Sequence, residues 1–132
     1  MILGYVVAAA FIIHGLAHIS GFTATWTSKN AGFGDKPWLF SKGITLRSRT
    51  GMAFGLLWLL AAILLIASGI GLLLQGMWWP TLPLMGSMAS LLAIVPWWKA
   101  VVPGAKVGAA FDLLAIAVLI APWGEEVLAS LA

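Results

Sequence analysis

The sequence predicts an all-α membrane protein: a four-helix transmembrane bundle forming one integral domain over residues 1–132, with both termini outside and a long first loop in the cytoplasm. Three observations predict it. First, 62% of the 132 residues are hydrophobic and 8% are charged, against about 25% charged in a soluble domain. A water-soluble fold of this size would expose much of that apolar surface, which soluble monomers avoid. Second, four nearly uncharged runs lie at about 2–22, 51–75, 77–98 and 107–123, and a helix of about 20 residues crosses the hydrocarbon layer. The runs do not alternate polar with apolar residues, so they read as helices and not as barrel strands. Third, the basic residues fall in only two of the connections.

The first run, from Ile2 to Phe22, carries no charge. Its apolar stretch is longer than a signal-peptide core and no basic segment precedes it, so a retained first helix is expected. The second run, Gly51 to Gln75, is again uncharged. The third is bounded by Trp78 and Trp79 at one end and Trp97 and Trp98 at the other. Trp79 and Trp97 stand about 27 Å of helix rise apart, so the two pairs read as interfacial belts. Pro83 falls in the first turns of this helix, where proline is tolerated, and Pro96 is expected to kink or end it. The fourth run is the shortest and contains one charge, Asp112.

Orientation follows from the cations. Lys29, Lys36, Lys42, Arg47 and Arg49 lie between the first and second runs, and Lys99 and Lys106 between the third and fourth. With four spans these two connections share one side, which the positive-inside rule makes cytoplasmic. The expected location is therefore the cell membrane as a multi-pass protein, with the bilayer as principal partner. A homo-oligomer or a larger membrane complex is the other partner class, and no nucleic-acid signature is present.

The connection from Thr23 to Thr50 exceeds the ~12–15 residues at which structureless loops become uncommon. Its lysines are interleaved with Trp26, Phe33, Trp38, Leu39, Phe40, Ile44 and Leu46. It reads as a membrane-hugging connector, or as a lid over a cytoplasmic-side site. Pro37 is placed to open a short interfacial helix through Trp38, Leu39 and Phe40. Small residues four apart, such as Gly51 with Gly55 and Gly104 with Gly108, predict close helix packing and no chemistry. Glu125 and Glu126 read as a solvated end, and Tyr5 as an interfacial ring.

Three ionisable residues remain inside the spans: His14, His18 and Asp112. Such residues are costly in lipid and face the bundle interior. His14 and His18 are four apart, hence on one helix face. Counted from the cytoplasmic ends of their helices, His18, Asp112 and His14 lie roughly 6, 8 and 12 Å deep. Ser90 reaches about 12 Å in the same leaflet. Arg47 and Arg49 sit at its mouth, where they anchor the interface, neutralise Asp112 or meet an anionic ligand.

Two imidazoles and a carboxylate suit a divalent metal such as Zn, Fe or Cu. No Glu stands between the histidines as a general base: Gly15, Leu16 and Ala17 do. Haem is disfavoured, because one helix cannot place both histidines on opposite faces of the ring. The same residues suit a quinone or proton site, or a purely structural tie between helices. Three functions stay open: a binding or structural membrane protein, a quinone-linked redox component or transferase, and a proton-coupled transporter subunit. With no Cys, disulfides and thiolate chemistry are excluded.

The stretch His14-Gly15-Leu16-Ala17-His18, followed by Gly21-Phe22, resembles the opening of a group of small four-span bacterial membrane proteins of unestablished activity. The tryptophans before the third helix and the Ala105-Lys106-Val107-Gly108 run opening the fourth extend the resemblance over most of the chain. It implies the four-helix architecture and a pairing of His14 and His18 with position 112. The group carries Asn there more often than Asp, so Asp112 is a departure. The resemblance implies no activity.

Overall fold

The computed structural model describes residues 2–40, 43–101 and 103–131. Lys42, one of the cations expected in the first loop, lies outside them. The described residues form five α-helices: α1 (Ile2–Trp26), α2 (Arg49–Leu73), α3 (Leu82–Ile94), α4 (Gly104–Ile120) and α5 (Gly124–Leu131). Short 3₁₀ turns at Trp79–Thr81 and Val95–Trp97 flank α3. No strand occurs among the described residues.

Three segments are long and apolar enough to cross a membrane: α1, α2 and the continuous Trp79–Trp97 unit. The pair α4 and α5 meets the same length and composition only when joined across a 105° bend, so three to four segments qualify. The expected fourth run to Trp123 therefore stops early, at Ile120, and Pro122 is the cause. A residue before proline is pushed out of the helical region, and Ala121 is extended, with φ −64° and ψ 152°. The turn closes through Gly124 N–H to the Ala121 carbonyl at 2.8 Å. A Cβ on Gly124 would stand 2.6 Å from the Leu119 carbonyl oxygen, so glycine is required there.

The terminal segment is an amphipathic helix, α5, with its acidic residues on the open side as expected. Glu125 and Glu126 are exposed, while Leu131 is buried with Ala8, Leu72 and Trp79. The two chain ends thus share one end of the bundle. The loop between α1 and α2 covers the other.

That loop is folded onto the bundle. Gly34 N–H donates to the Ala100 carbonyl at 2.7 Å, and Trp38 N–H to the Pro96 carbonyl at 3.1 Å. Leu46 is fully buried beside Trp58 and Trp97. No helix forms over Pro37–Phe40; the Trp38 indole instead donates to the Val95 carbonyl. Ser48 caps α2, accepting from Gly51 N–H at 3.2 Å, as a helix start with unsatisfied N–H groups demands.

The tryptophan pairs divide in the same way at both ends. Trp78 is half exposed, but Trp79 is buried. Trp97 is fully buried in the core against Trp58 and Phe54, and Trp98 is partly buried. So Trp79 and Trp97 are core residues and not lipid-facing belt residues. Pro83 sits in the first turn of α3, and the helix gives way to the 3₁₀ turn at Val95–Trp97, at Pro96.

The α1–α2 seam is the tightest. A Cβ on Gly15 would lie 2.9 Å from the Ala62 carbonyl oxygen, and one on Gly69 2.5 Å from that of Ala8. Backbone against backbone is what small residues permit in a membrane bundle. Packing continues α2 to α3 and α3 to α4, but α1 and α4 make almost no close backbone approach.

Candidate functional site

What joins α1 to α4 is the polar cluster. Gly15 seats one side of α1 on α2, which turns the His14–His18 face toward α3 and α4. The two imidazoles lie edge to face, with centroids 4.7 Å apart. His14 Nε2 is 3.0 Å from Asp112 Oδ1. His18 Nε2 is 2.6 Å from Ser90 Oγ, and Ser90 Oγ meets Asp112 Oδ2. His18 Nδ1–H donates to the His14 carbonyl at 2.9 Å. Asp112 and Ser90 are fully buried and His18 is 5% exposed. The chain His14–Asp112–Ser90–His18 therefore ties α1, α3 and α4 together at one level.

His14, His18, Ser90 and Asp112 are thus brought together, as their matching depths predict. Arg47 and Arg49 are not part of the cluster. The Arg47 guanidinium donates to the Thr27 carbonyl at 2.8 Å and to Asn30 Oδ1 at 2.6 Å, which braces the loop. Arg49 is exposed in the first turn of α2. The reason is position: both arginines lie at or beyond the loop end of α2, outside the apolar runs. Neither neutralises Asp112.

An ionised Asp112 beside two neutral imidazoles would leave one buried negative charge, which a protein interior tolerates only when balanced. No Lys or Arg among the described residues supplies the balance. A proton shared within the cluster or a bound cation remains.

The donor set suits a cation. One ligand atom from each of His14, His18 and Asp112 lies within 4.8 Å of the others. Tetrahedral ligands at ~2.0–2.1 Å from zinc stand roughly 3.3 Å apart, so small side-chain shifts close the shell. The surrounding bonds suit it too. With His18 Nδ1–H given to a carbonyl, Nε2 is the ring atom left for a ligand. It meets Ser90 Oγ, and a metal taking Nε2 would leave the single Ser90 hydrogen to the far carboxylate oxygen. Metal-ligating imidazoles and carboxylates are held in this manner.

The sequence did not reveal a cavity of about 450 Å³ between α1 and α4, with His14 and His18 in its wall. Phe111 packs against His14 at 4.5 Å and edge-on against Phe11 at 5.4 Å. Trp58 and Phe33 close the inner and loop sides, in edge-to-face contact at 5.4 Å. The signal available was that Phe111 adjoins Asp112 and Phe11 lies one turn before His14. Both looked like ordinary apolar helix residues.

Fold and site together define a class: an all-helical bundle with membrane-span-like helices and a buried His/Asp cluster. No protein-family model matches the chain, and no curated protein or solved structure matches it either.

Proposed function

We propose that this chain is a multi-pass membrane protein of four spans whose His14, His18 and Asp112 hold a divalent transition-metal ion. The observation that carries this reading is the convergence of three ligand atoms within 4.8 Å at a site where, among the described residues, no Lys or Arg meets the carboxylate. A dication does so, and two neutral imidazoles with one carboxylate are its ordinary partners. His14 and His18 also line the open cavity, so the metal keeps a position for an outside ligand. Both termini lie outside, and the loop with Lys29, Lys36 and Arg47 faces the cytoplasm.

Elemental analysis of protein purified without a polyhistidine tag or chelator tests the metal. One equivalent of zinc or iron per chain is expected, with melting raised by the metal and lowered by a chelator, as linkage requires. His14→Ala should abolish both effects. Substoichiometric metal with chelator-insensitive melting overturns the reading and leaves a structural tie. Cysteines placed one at a time at Lys36, Lys99 and Glu126 test sidedness. Only the last should react with an impermeant thiol reagent added to intact cells, and the reverse pattern inverts the topology.

A further inference from the structure

The seam between α1 and α4 holds two chambers end to end. The first, about 450 Å³, contains the histidines. The second, about 280 Å³, runs toward the chain termini and is walled by aliphatic residues and Phe11, Trp79 and Phe111. Ala10 and Phe111 line both, so the chambers adjoin at these two residues, the neck of the seam. Val127, Leu128 and Leu131 of α5 close the far end. At the rim of the first chamber, Ile13 and Val107 are 66% and 70% exposed. The opening therefore faces lipid in a membrane, and a molecule entering it comes from the bilayer.

The walls specify that molecule. Phe33, Trp58 and Phe111 line the histidine chamber, and aromatic walls suit a flat ring. The polar side chains lining the chamber are His14, His18 and Ser20 of α1, with the Trp58 indole from α2. Among them His14 Nδ1 makes no hydrogen bond among the described residues, its Nε2 being engaged by Asp112. A neutral imidazole bound through Nε2 carries its hydrogen on Nδ1 and donates to a carbonyl. Among the described residues no Lys or Arg lines either chamber, so a phosphate head finds no partner among them. Below the neck only a slender apolar tail fits, over roughly 16 Å from His14 to Leu3.

We propose that this seam binds a lipid-soluble quinone, its ring in the histidine chamber with one carbonyl on His14 and its tail in the second chamber. The ring and tail sites stand on the chamber walls and can fail separately from the metal centre. The bond from His14 Nδ1–H rests on the metal reading, since a neutral imidazole that donates to Asp112 through Nε2 has no second hydrogen.

Decyl-substituted benzoquinone titrated into the protein in lipid nanodiscs tests it, read by quenching of tryptophan fluorescence, since Trp58 walls the chamber. Saturable quenching is expected. Ala10→Phe, which fills the neck, should weaken it about tenfold or more, as should Ala17→Leu at the rim. Ala9→Phe, on the exposed face of α1, should leave it unchanged. Having two blocking variants at different heights keeps the test sound if one misfolds. A benzoquinone without the tail should bind at least about tenfold more weakly once partitioning is corrected. Quenching that rises linearly with the quinone-to-lipid ratio in every variant overturns the proposal. So does a Val107→Cys protein that forms a disulfide dimer, because a second copy then fills the seam. Saturation in a protein that elemental analysis shows to hold no transition metal keeps the quinone site and removes the metal centre.

Discussion

The two faces of α1 are built on opposite principles. Against α2, glycines bring backbones into contact and the seam is closed: Gly15 lies on Ala62, Gly69 on Ala8. Against α4, side chains span a gap, and the gap contains both chambers and the cluster. In lipid, helices gain little by hiding apolar surface from one another, so close packing carries association. A seam that forgoes it is available for ligands. The closed seam holds α1 in place so that the open one keeps its geometry.

Breaking the closed seam should have the largest effect. Gly15→Leu drives a side chain into Ile66 and the Ala62 carbonyl. Overpacking of this kind costs about 1–3 kcal/mol or more, and here it also separates α1 from α2. Chemical or thermal unfolding in detergent should show the loss. A change below about 0.5 kcal/mol would mean that the seam is not tight.

Removing the tie across the open seam should cost less. Asp112→Ala leaves His14 Nε2 and Ser90 without their partner. Hydrogen bonds between membrane helices average about 0.6 kcal/mol with a maximum near 1.7, and a stranded buried donor adds to that. A loss of about 1–2 kcal/mol is expected in metal-free protein. No loss would show that the chambers are held open by the phenylalanines alone.

The smallest effect belongs to the core under the loop. The Trp97 indole N–H is buried without a hydrogen-bond partner, and an unmade buried bond is unfavourable. Trp97→Phe removes that group while giving up some contact with Trp58 and Phe54. The two roughly offset, so the melting midpoint should move by less than about 1 kcal/mol equivalent. A loss as large as that of Gly15→Leu would show that the ring's volume outweighs its stranded donor.

The sequence made the closed seam and the cluster legible for different reasons. Apolar runs and small residues encode helices and close contact locally. Ionisable residues in lipid are rare enough that His14, His18 and Asp112 identify themselves, and helix rise gives their depth. The loop was not legible, because Leu46 and Trp38 take partners from α3 and its end that no local pattern names. Trp79 and Trp97 misled because a tryptophan at the right height serves equally as a belt or as core. The bend at Ala121 was written in Pro122 but obscured by the apolar run that continues past it. Open space has no sequence pattern at all: the chambers exist because α1 and α4 are both held elsewhere.

Asp112→Asn tests the metal centre most directly, because it separates ligand from tie. The amide oxygen accepts from His14 Nε2–H, the amide N–H donates to Ser90, and Ser90 donates to His18 Nε2, so the tie survives. The charge and the anionic ligand do not. Zinc affinity and chelated melting should be measured together on this variant. The expected result is zinc binding weakened by about tenfold or more, with metal-free melting within about 1 kcal/mol of the parent. Zinc uptake equal to the parent's, or absent from both, would contradict a carboxylate-ligated metal at this site.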